Sequence, residues 1–377
     1  MASEPTIQLL SDPQAEDGAQ ATFHAVLQGI REARESIEIH MFVWRNDDIG
    51  NEVGRAVLDA AERGVKVTII KDLGAFMYER IEMNRKSFFN KPISSKQAFI
   101  YKMVAPTFPD TYVEDDYDDE LGWKIIDHPL VTMKWVNHTH TKYYIFDEEV
   151  MFTGSINIED RHRGYFDYMI RIEGKEAVER LRQRQSLSVS HDSERSVDFV
   201  LNVIEESKET FEIKEEFIRL MDAAKKSLII EMAYIGDPDI SDKIVEAAER
   251  GVEVTMLFSR EANIGNDINY KAMYELCKRA PIRAYLTPKM IHSKLMLVDG
   301  EIVMMGSANF SVFSMQKAEE LNVVIRNHPE LVEAFRQTLA AREAASEKVE
   351  DVETFSHYNH FIAGLQQLHQ KLNSWFN

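Results

Sequence analysis

The chain has 377 residues, 44% hydrophobic and 28% charged, a composition that suits a soluble globular protein of about two or three domains. Its single cysteine, Cys277, excludes an intrachain disulfide and points to a reducing cytoplasm. A formal net charge of −19 disfavours nucleic acid as a partner, because such binding relies on Lys and Arg neutralising phosphates.

Residues 1–20 form a polar N-terminal segment without a basic start followed by an apolar run, so no signal peptide is expected. No stretch approaches the roughly 18 to 20 apolar residues of a membrane-spanning helix. From residue 21 the pattern becomes helical, then turns at Ala33 into an apolar strand from Ser36 to Phe42. A second helix ends at Gly64 and leads into a buried strand, Val65 to Ile70. A long insert follows at about 80–135, carrying the acidic run Glu114 to Glu120, which reads as a solvated loop. Beyond it lie a strand from Lys142 to Phe146, a hairpin partner, and a further strand from Phe166 to Ile172. We place the first lobe at 21–185 and a linker at 186–206, the latter opening with a serine-rich stretch.

The second lobe, 207–330, repeats this order. Ala60 to Thr68 (AAERGVKVT) recurs almost unchanged as Ala247 to Thr255 (AAERGVEVT), and Ala224 to Ala233 repeats the earlier helix-to-strand passage. Its later strands are Val252 to Phe258, Lys294 to Val298 and Glu320 to Ile325. The distance from Gly to the following motif is longer in the first half by about 35 residues, the size of the insert. Helices alternating with apolar strands predict an α/β fold of two pseudo-symmetric lobes, each a mixed sheet flanked by helices. The C-terminal part, 331–377, reads as helical, first over His328 to Glu350 and then as a tail with Phe361, Leu365, Leu368 and Leu372 at helical spacing.

One pattern is duplicated in register. His140-Thr-Lys142, then Asp147, then Gly154-Ser155-Ile-Asn157 recurs as His292-Ser-Lys294, Asp299 and Gly306-Ser307-Ala-Asn309. Each residue type alone has an ordinary structural use: histidines pack in cores, lysines extend to solvent, and Gly-Ser-x-Asn makes turns. Recurrence of the whole set at identical spacing has no such explanation. The types match phosphoester chemistry: an imidazole nucleophile or acid, a fixed cation, and neutral hydrogen-bond donors.

These motifs resemble those of the phospholipase D superfamily, and their surroundings most resemble bacterial cardiolipin synthases. The resemblance runs through Phe42 to Gly50 (FVWRNDDIG), Asn157-Ile-Glu-Asp160, Tyr165-Phe-Asp167 and Arg171-Ile-Glu-Gly174, and spans roughly residues 20 to 330. It implies one active site between the lobes and a phosphatidyltransferase working through a phosphohistidine. His140 would be the nucleophile and His292 the acid and base, although the residues alone are too symmetric to assign them. Lys142 and Lys294 would hold the phosphoryl charge, with Ser155, Asn157, Ser307 and Asn309 as hydrogen-bond donors to phosphate. An acid orienting the histidine is implied at Asp167, 27 residues after His140, and at Glu320, 28 after His292. Asp147, Asp299, Gly154 and Gly306 are expected to shape the motif turns. The lysines hold the charge that a divalent ion would otherwise meet, so no metal and no cofactor is called for. The expected substrate is a phospholipid such as phosphatidylglycerol, met by peripheral contact at the inner face of the cell membrane. Hydrolysis of phospholipid, or metal-independent nuclease action, is the alternative outcome of the same machinery. His138, His162 and His40 are further candidates for the site.

Overall fold

The computed structural model describes residues 5–10, 18–81, 87–89, 95, 119–205, 208–263, 266–360 and 362–364. The acidic run Glu114 to Asp118, and the tail positions Phe361, Leu365, Leu368 and Leu372, lie outside them.

The strands of the first lobe are β1 (Thr6–Leu9), β2 (Ser36–Met41), β3 (Lys66–Asp72), β4 (Val131–Val136), β5 (Tyr143–Phe146), β6 (Val150–Gly154) and β7 (Met169–Glu173). Those of the second are β8 (Val197–Glu205), β9 (Lys208–Phe211), β10 (Ser227–Met232), β11 (Glu253–Ser259), β12 (Arg283–Thr287), β13 (Lys294–Val298), β14 (Ile302–Gly306), β15 (Glu320–Ile325) and β16 (Glu347–Lys348). They form two mixed sheets, ordered β1-β7-β6-β5-β2-β3-β4 and β16-β12-β11-β10-β13-β14-β15-β8-β9. Removing the edge strands β9 and β16 leaves the same order in both. In each, three parallel strands (β2, β3, β4 or β10, β11, β12) adjoin an antiparallel meander that carries the motif.

This equivalence bears on where each lobe begins. The linker at 186–206 contains β8, whose place beside β15 matches that of β1 beside β7. Both open their lobes. Asp198 and Asn202 interrupt the apolar run of β8 and hide it in the sequence; both are buried, and Asp198 is held by Arg180 at 2.8 Å. The N-terminal segment likewise contributes β1, a short strand at the sheet edge. The insert ends in β4, which pairs with β3 as β12 pairs with β11. The helix expected to Glu350 stops at Ala344, and Glu347–Lys348 pairs with the otherwise open edge of β12.

Side chains alternate across each strand, so each motif strand serves two cores. Tyr144 and Phe146 enter the first lobe's own core, as Met296 and Val298 enter the second's. Tyr143 and Ile145 turn the other way and meet Leu295 and Leu297 in a third cluster, shared by β7, β15 and the helices 175–185 and 329–344. Burying such side chains contributes about 1.5–3 kcal/mol each, so the two sheets are held face to face by a continuous apolar layer.

Each motif strand ends at an aspartate with positive φ, +53° at Asp147 and +54° at Asp299. The Asp147 carboxylate accepts the backbone N–H groups of Arg34, Glu35 and Ser36 at 2.8–3.0 Å, capping the turn that enters β2. Asp299 does the same for Lys225, Lys226 and Ser227 at 2.7–3.0 Å. These carboxylates therefore face the end of the strand remote from the histidines. Replacing either by Ala should cost about 1–2 kcal/mol, through three donors returned to water and a left-handed residue lacking its local hydrogen bonds. Urea unfolding of Asp147→Ala and Asp299→Ala reads this as similar losses in the two halves; unchanged midpoints would contradict it.

Candidate functional site

Two backbone ladders between the lobes build the site. Just before each motif, the chain is tied to its own sheet: Asp72 at the end of β3 accepts the Thr139 N–H at 3.0 Å, and Ser259 at the end of β11 accepts that of Ile291 at 2.7 Å. The chain then crosses to the other lobe. His140 N–H donates to the Glu319 carbonyl at 2.8 Å and Glu319 N–H to that of His138 at 2.7 Å; His138 has φ +62° here. In the second motif, His292 N–H donates to the Phe166 carbonyl at 2.8 Å and Phe166 N–H to that of Met290 at 2.7 Å.

The next residue after each bridging position is an acid, Glu320 or Asp167, so each acid meets the histidine of the opposite lobe. His140 Nδ1 lies 3.1 Å from both Glu320 oxygens, and His292 Nδ1 lies 2.9 Å from Asp167 Oδ2. The sequence spacing suggested pairing within each half. The pairing is crossed instead, because Phe166 and Glu319 bridge to the other lobe immediately before the acids. A carboxylate on Nδ1 fixes the proton there and leaves the Nε2 lone pair for chemistry. The histidines are only 9% and 7% exposed, so this chemistry sits in a nearly closed cleft.

Ser155 and Ser307 each have a carboxylate in reach of the hydroxyl. Ser155 donates to Asp167, and Ser307 donates to Glu320 at 2.5 Å. The carboxylates are the strong acceptors in reach of both hydroxyls. Gly154 and Gly306 permit that approach: a Cβ would lie 2.2 Å from the Tyr168 carbonyl in one case and 2.3 Å from that of Leu321 in the other. Asn157 is also engaged, its Oδ1 accepting the Val43 N–H at 3.2 Å. Asn309 is buried, and among the described residues its Oδ1 has no hydrogen-bond partner.

Lys142 and Lys294 reach the same cleft. Lys142 Nζ donates to the His140 carbonyl at 2.6 Å and lies 5.2 Å from the Phe42 ring centre; Lys294 donates to the His292 carbonyl. Burial, together with the neighbouring Lys294 charge and against the pull of Glu320, brings Lys142 down to about 7. Burial brings Lys294 down to about 8, against the pull of Asp167 and Glu320. Burial also takes His140 down to about 4 and, aided by Lys294 and His162, holds His292 well below its usual value. Burial alone would raise both carboxylates. His292 and His162 instead keep Asp167 well below the usual range, and His140 and Lys142 keep Glu320 low.

Of the further candidates, His40 accepts or donates at 2.8 Å to Thr139 Oγ1, under the first motif. His162 enters the site itself. Its Nδ1 is 2.9 Å from Asp167 Oδ2, and its ring centre is 4.5 Å from that of His292. His162, Asp167 and His292 thus bring three possible ligand atoms within 4.8 Å of one another. Their 2.9 Å contacts are those of N–H···O hydrogen bonds, which account for the cluster. Arg342, from helix 329–344, was absent from the sequence reading. It pairs with buried Glu231 and lies 4.4 Å from the Phe166 and Tyr168 ring centres, bracing the segment that holds Asp167.

A family model described as "Cardiolipin synthase, PLD-like domain" matches residues 26–186 and 217–342. Cardiolipin synthase B of Salmonella typhi is 24% identical over 344 residues, covering 84% of this chain and 76% of that protein. A cardiolipin synthase of Listeria monocytogenes is 24% identical over 331 residues, covering 80% of this chain and 63% of its own length. Among solved structures, the phosphatidylserine synthase of Haemophilus influenzae Rd KW20 aligns over 98% of this chain and 93% of its own, with TM-score 0.68 and 11% identity. At that identity the likeness is one of fold.

The crossed pairing has a direct spectroscopic consequence. Asp167→Asn should disturb the tautomer of His292 and leave that of His140 unaltered; Glu320→Gln should do the reverse. Long-range ¹⁵N–¹H spectra of the imidazoles read both. A disturbance confined to the histidine of the same lobe would contradict the arrangement.

Proposed function

This chain belongs to the cardiolipin synthase family of phospholipase D-like domains, and from that premise we propose that it transfers a phosphatidyl group to a glycerol-bearing alcohol through a phosphohistidine. The observation that carries the proposal is the convergence of two carboxylate-held imidazoles and two buried ammonium groups on one interlobe cleft. A phosphodiester anion repels nucleophiles, so fixed positive charge in a dry cleft is the first requirement of its chemistry. Lys142 and Lys294 meet it, and the substrate's own charge draws protons onto both lysines and onto one histidine.

In the first step His140 Nε2 attacks phosphorus, a P–N bond forms, and the P–O bond to the leaving alcohol breaks. The proton of a charged His292 passes to the departing oxygen. In the second step an incoming hydroxyl gives its proton to His292 while its oxygen displaces His140 from phosphorus. Glu320 and Asp167 hold each ring by Nδ1 and stabilise the charge that develops on it. The choice of His140 as nucleophile follows the family resemblance. Water in place of the alcohol would give hydrolysis by identical steps.

The proposed donor is a phospholipid such as phosphatidylglycerol, consistent with the names of the relatives. Among the described residues no helix is long and apolar enough to cross a membrane. The enzyme is proposed to meet lipid from the cytoplasm, by peripheral contact at the inner face of the cell membrane.

With phosphatidylglycerol vesicles in chelator, wild type should release cardiolipin and glycerol, separable by thin-layer chromatography. His140→Ala and His292→Ala should each lower the rate by about 10³-fold or more, since either imidazole is needed for a complete cycle. Phosphatidic acid as the sole lipid product would replace transfer by hydrolysis, and full activity in either variant would overturn the mechanism. The lysines set the alkaline limit. Burial lowers their pKa values, so the required ammonium forms are present at lower pH and are lost as pH rises through about 7 to 8 in the free enzyme. The profile of kcat/KM should fall over that range; a plateau to pH 10 would contradict this reading of the charge.

A further inference from the structure

We propose that His162 is a positioning residue: a buried imidazolium held between Asp167 and Glu159 that shares Asp167 with His292 and makes the two reacting imidazoles chemically unequal. The inference rests on the reading of His292 as a reacting group and adds a third histidine to it.

The geometry is specific. His162 is fully buried, with Nδ1 2.9 Å from Asp167 Oδ2 and Nε2 3.1 Å from Glu159 Oε1. A neutral imidazole has one N–H; two carboxylates facing the two nitrogens call for an N–H on each, which only the cation has. The Asn157 amide nitrogen also approaches Nε2, at 3.3 Å, a longer contact than that to the Glu159 carboxylate. Burial opposes the charge on His162, but Asp167 and Glu159 together outweigh it and raise its pKa. Glu159 is itself an anion held from behind, by Arg45 at 3.1 Å and Arg161 at 2.8 Å. A row of alternating charge thus runs inward from Arg45 through Glu159, His162 and Asp167 to His292.

The other half has no such row. Five residues after Asn157 stands His162; five after Asn309 stands Ser314. Ser314 is engaged through its backbone, its carbonyl accepting from Asn202 at 2.7 Å, and among the described residues it makes no hydrogen bond with Glu320. Glu320 therefore serves one imidazole, and Asp167 serves two through the same oxygen. The consequence is electrostatic. A cation 4.5 Å away, drawing on the same carboxylate, disfavours a second charge on His292. The other groups around this pair are Lys294 beside the His292 ring, Ser155 on Asp167 Oδ1, the Tyr165 ring against both imidazoles, and, at longer range, Lys142 and the Glu231–Arg342 pair. None of them places a second imidazole on an acid, so His162 is the principal difference between the two lobes' pairs. An acid made reluctant to hold its proton gives it up readily to a leaving alkoxide, the half of the work assigned to His292.

The test begins with the wild-type protein. Imidazole ¹⁵N spectra at pH 7 should give His162 with both ring nitrogens protonated; a neutral His162 would overturn the proposal. His162→Asn and His162→Gln then remove the charge while retaining an amide donor near one or other ring nitrogen. In folded variants, judged by thermal melting, His292 should titrate higher by about one pH unit, with His140 unmoved. The limb of the kcat/KM profile that reports His292 should move the same way, by about one pH unit, with KM within about twofold. A merely structural His162 would leave that titration and that limb in place, and this outcome would overturn the proposal alone. Full activity of His292→Ala would instead remove the reading of the site on which it rests.

Discussion

The interlobe backbone exchange at His138–His140 with Glu319, and at Met290–His292 with Phe166, is the constraint on which the site depends. Two short parallel bridges deliver each acid to the opposite lobe's imidazole, so neither half holds a complete pair by itself. The apolar layer between the sheets supplies the energy that keeps the exchange in register, and its alternate side chains come from the same strands that carry the motifs. The geometry of the candidate site and the interlobe packing are therefore one property of β5, β7, β13 and β15. A substitution in that layer would move a carboxylate relative to a ring without touching either.

The burial that results explains the pattern of charge. Burial drives imidazoles and ammoniums toward neutrality and carboxylates toward protonation, yet the carboxylates stay ionised because each is surrounded by donors: Ser307 and His140 on Glu320; Ser155, His162 and His292 on Asp167. Serine hydroxyls given to the carboxylates are part of this solution. They stabilise the anions that must in turn orient the rings. The lysines are left with lowered pKa values and nearby charge of their own sign, a state that an incoming phosphate relieves.

Much of this was legible in the chain. The duplicated motifs, the AAERGV repeat and the alternation of helices with apolar strands led to two equivalent lobes, and the fold bears that architecture out. The acids Asp167 and Glu320 were visible as charged residues entering apolar strands. Their crossed partnership was not, since spacings of 27 and 28 residues from the preceding histidines are satisfied as well by pairing within a lobe. Strands β1 and β8 escaped notice because one is a four-residue edge strand and the other carries buried Asp198 and Asn202, which interrupt its apolar pattern. His162 had a local signal, five residues before Asp167, but five-residue spacings are common and only the folded loop turns both ring nitrogens onto acids.

The central claim is that two half-sites make one reaction centre. Acid-quenching the enzyme during turnover of acyl-labelled phosphatidylglycerol, then counting the label per chain and locating it by peptide mass spectrometry, tests that claim most directly. The account predicts at most one phosphatidyl group per chain, on the peptide holding His140 and lost in His140→Ala. Two groups per chain, one on each motif histidine, would mean that the lobes react independently and would contradict it.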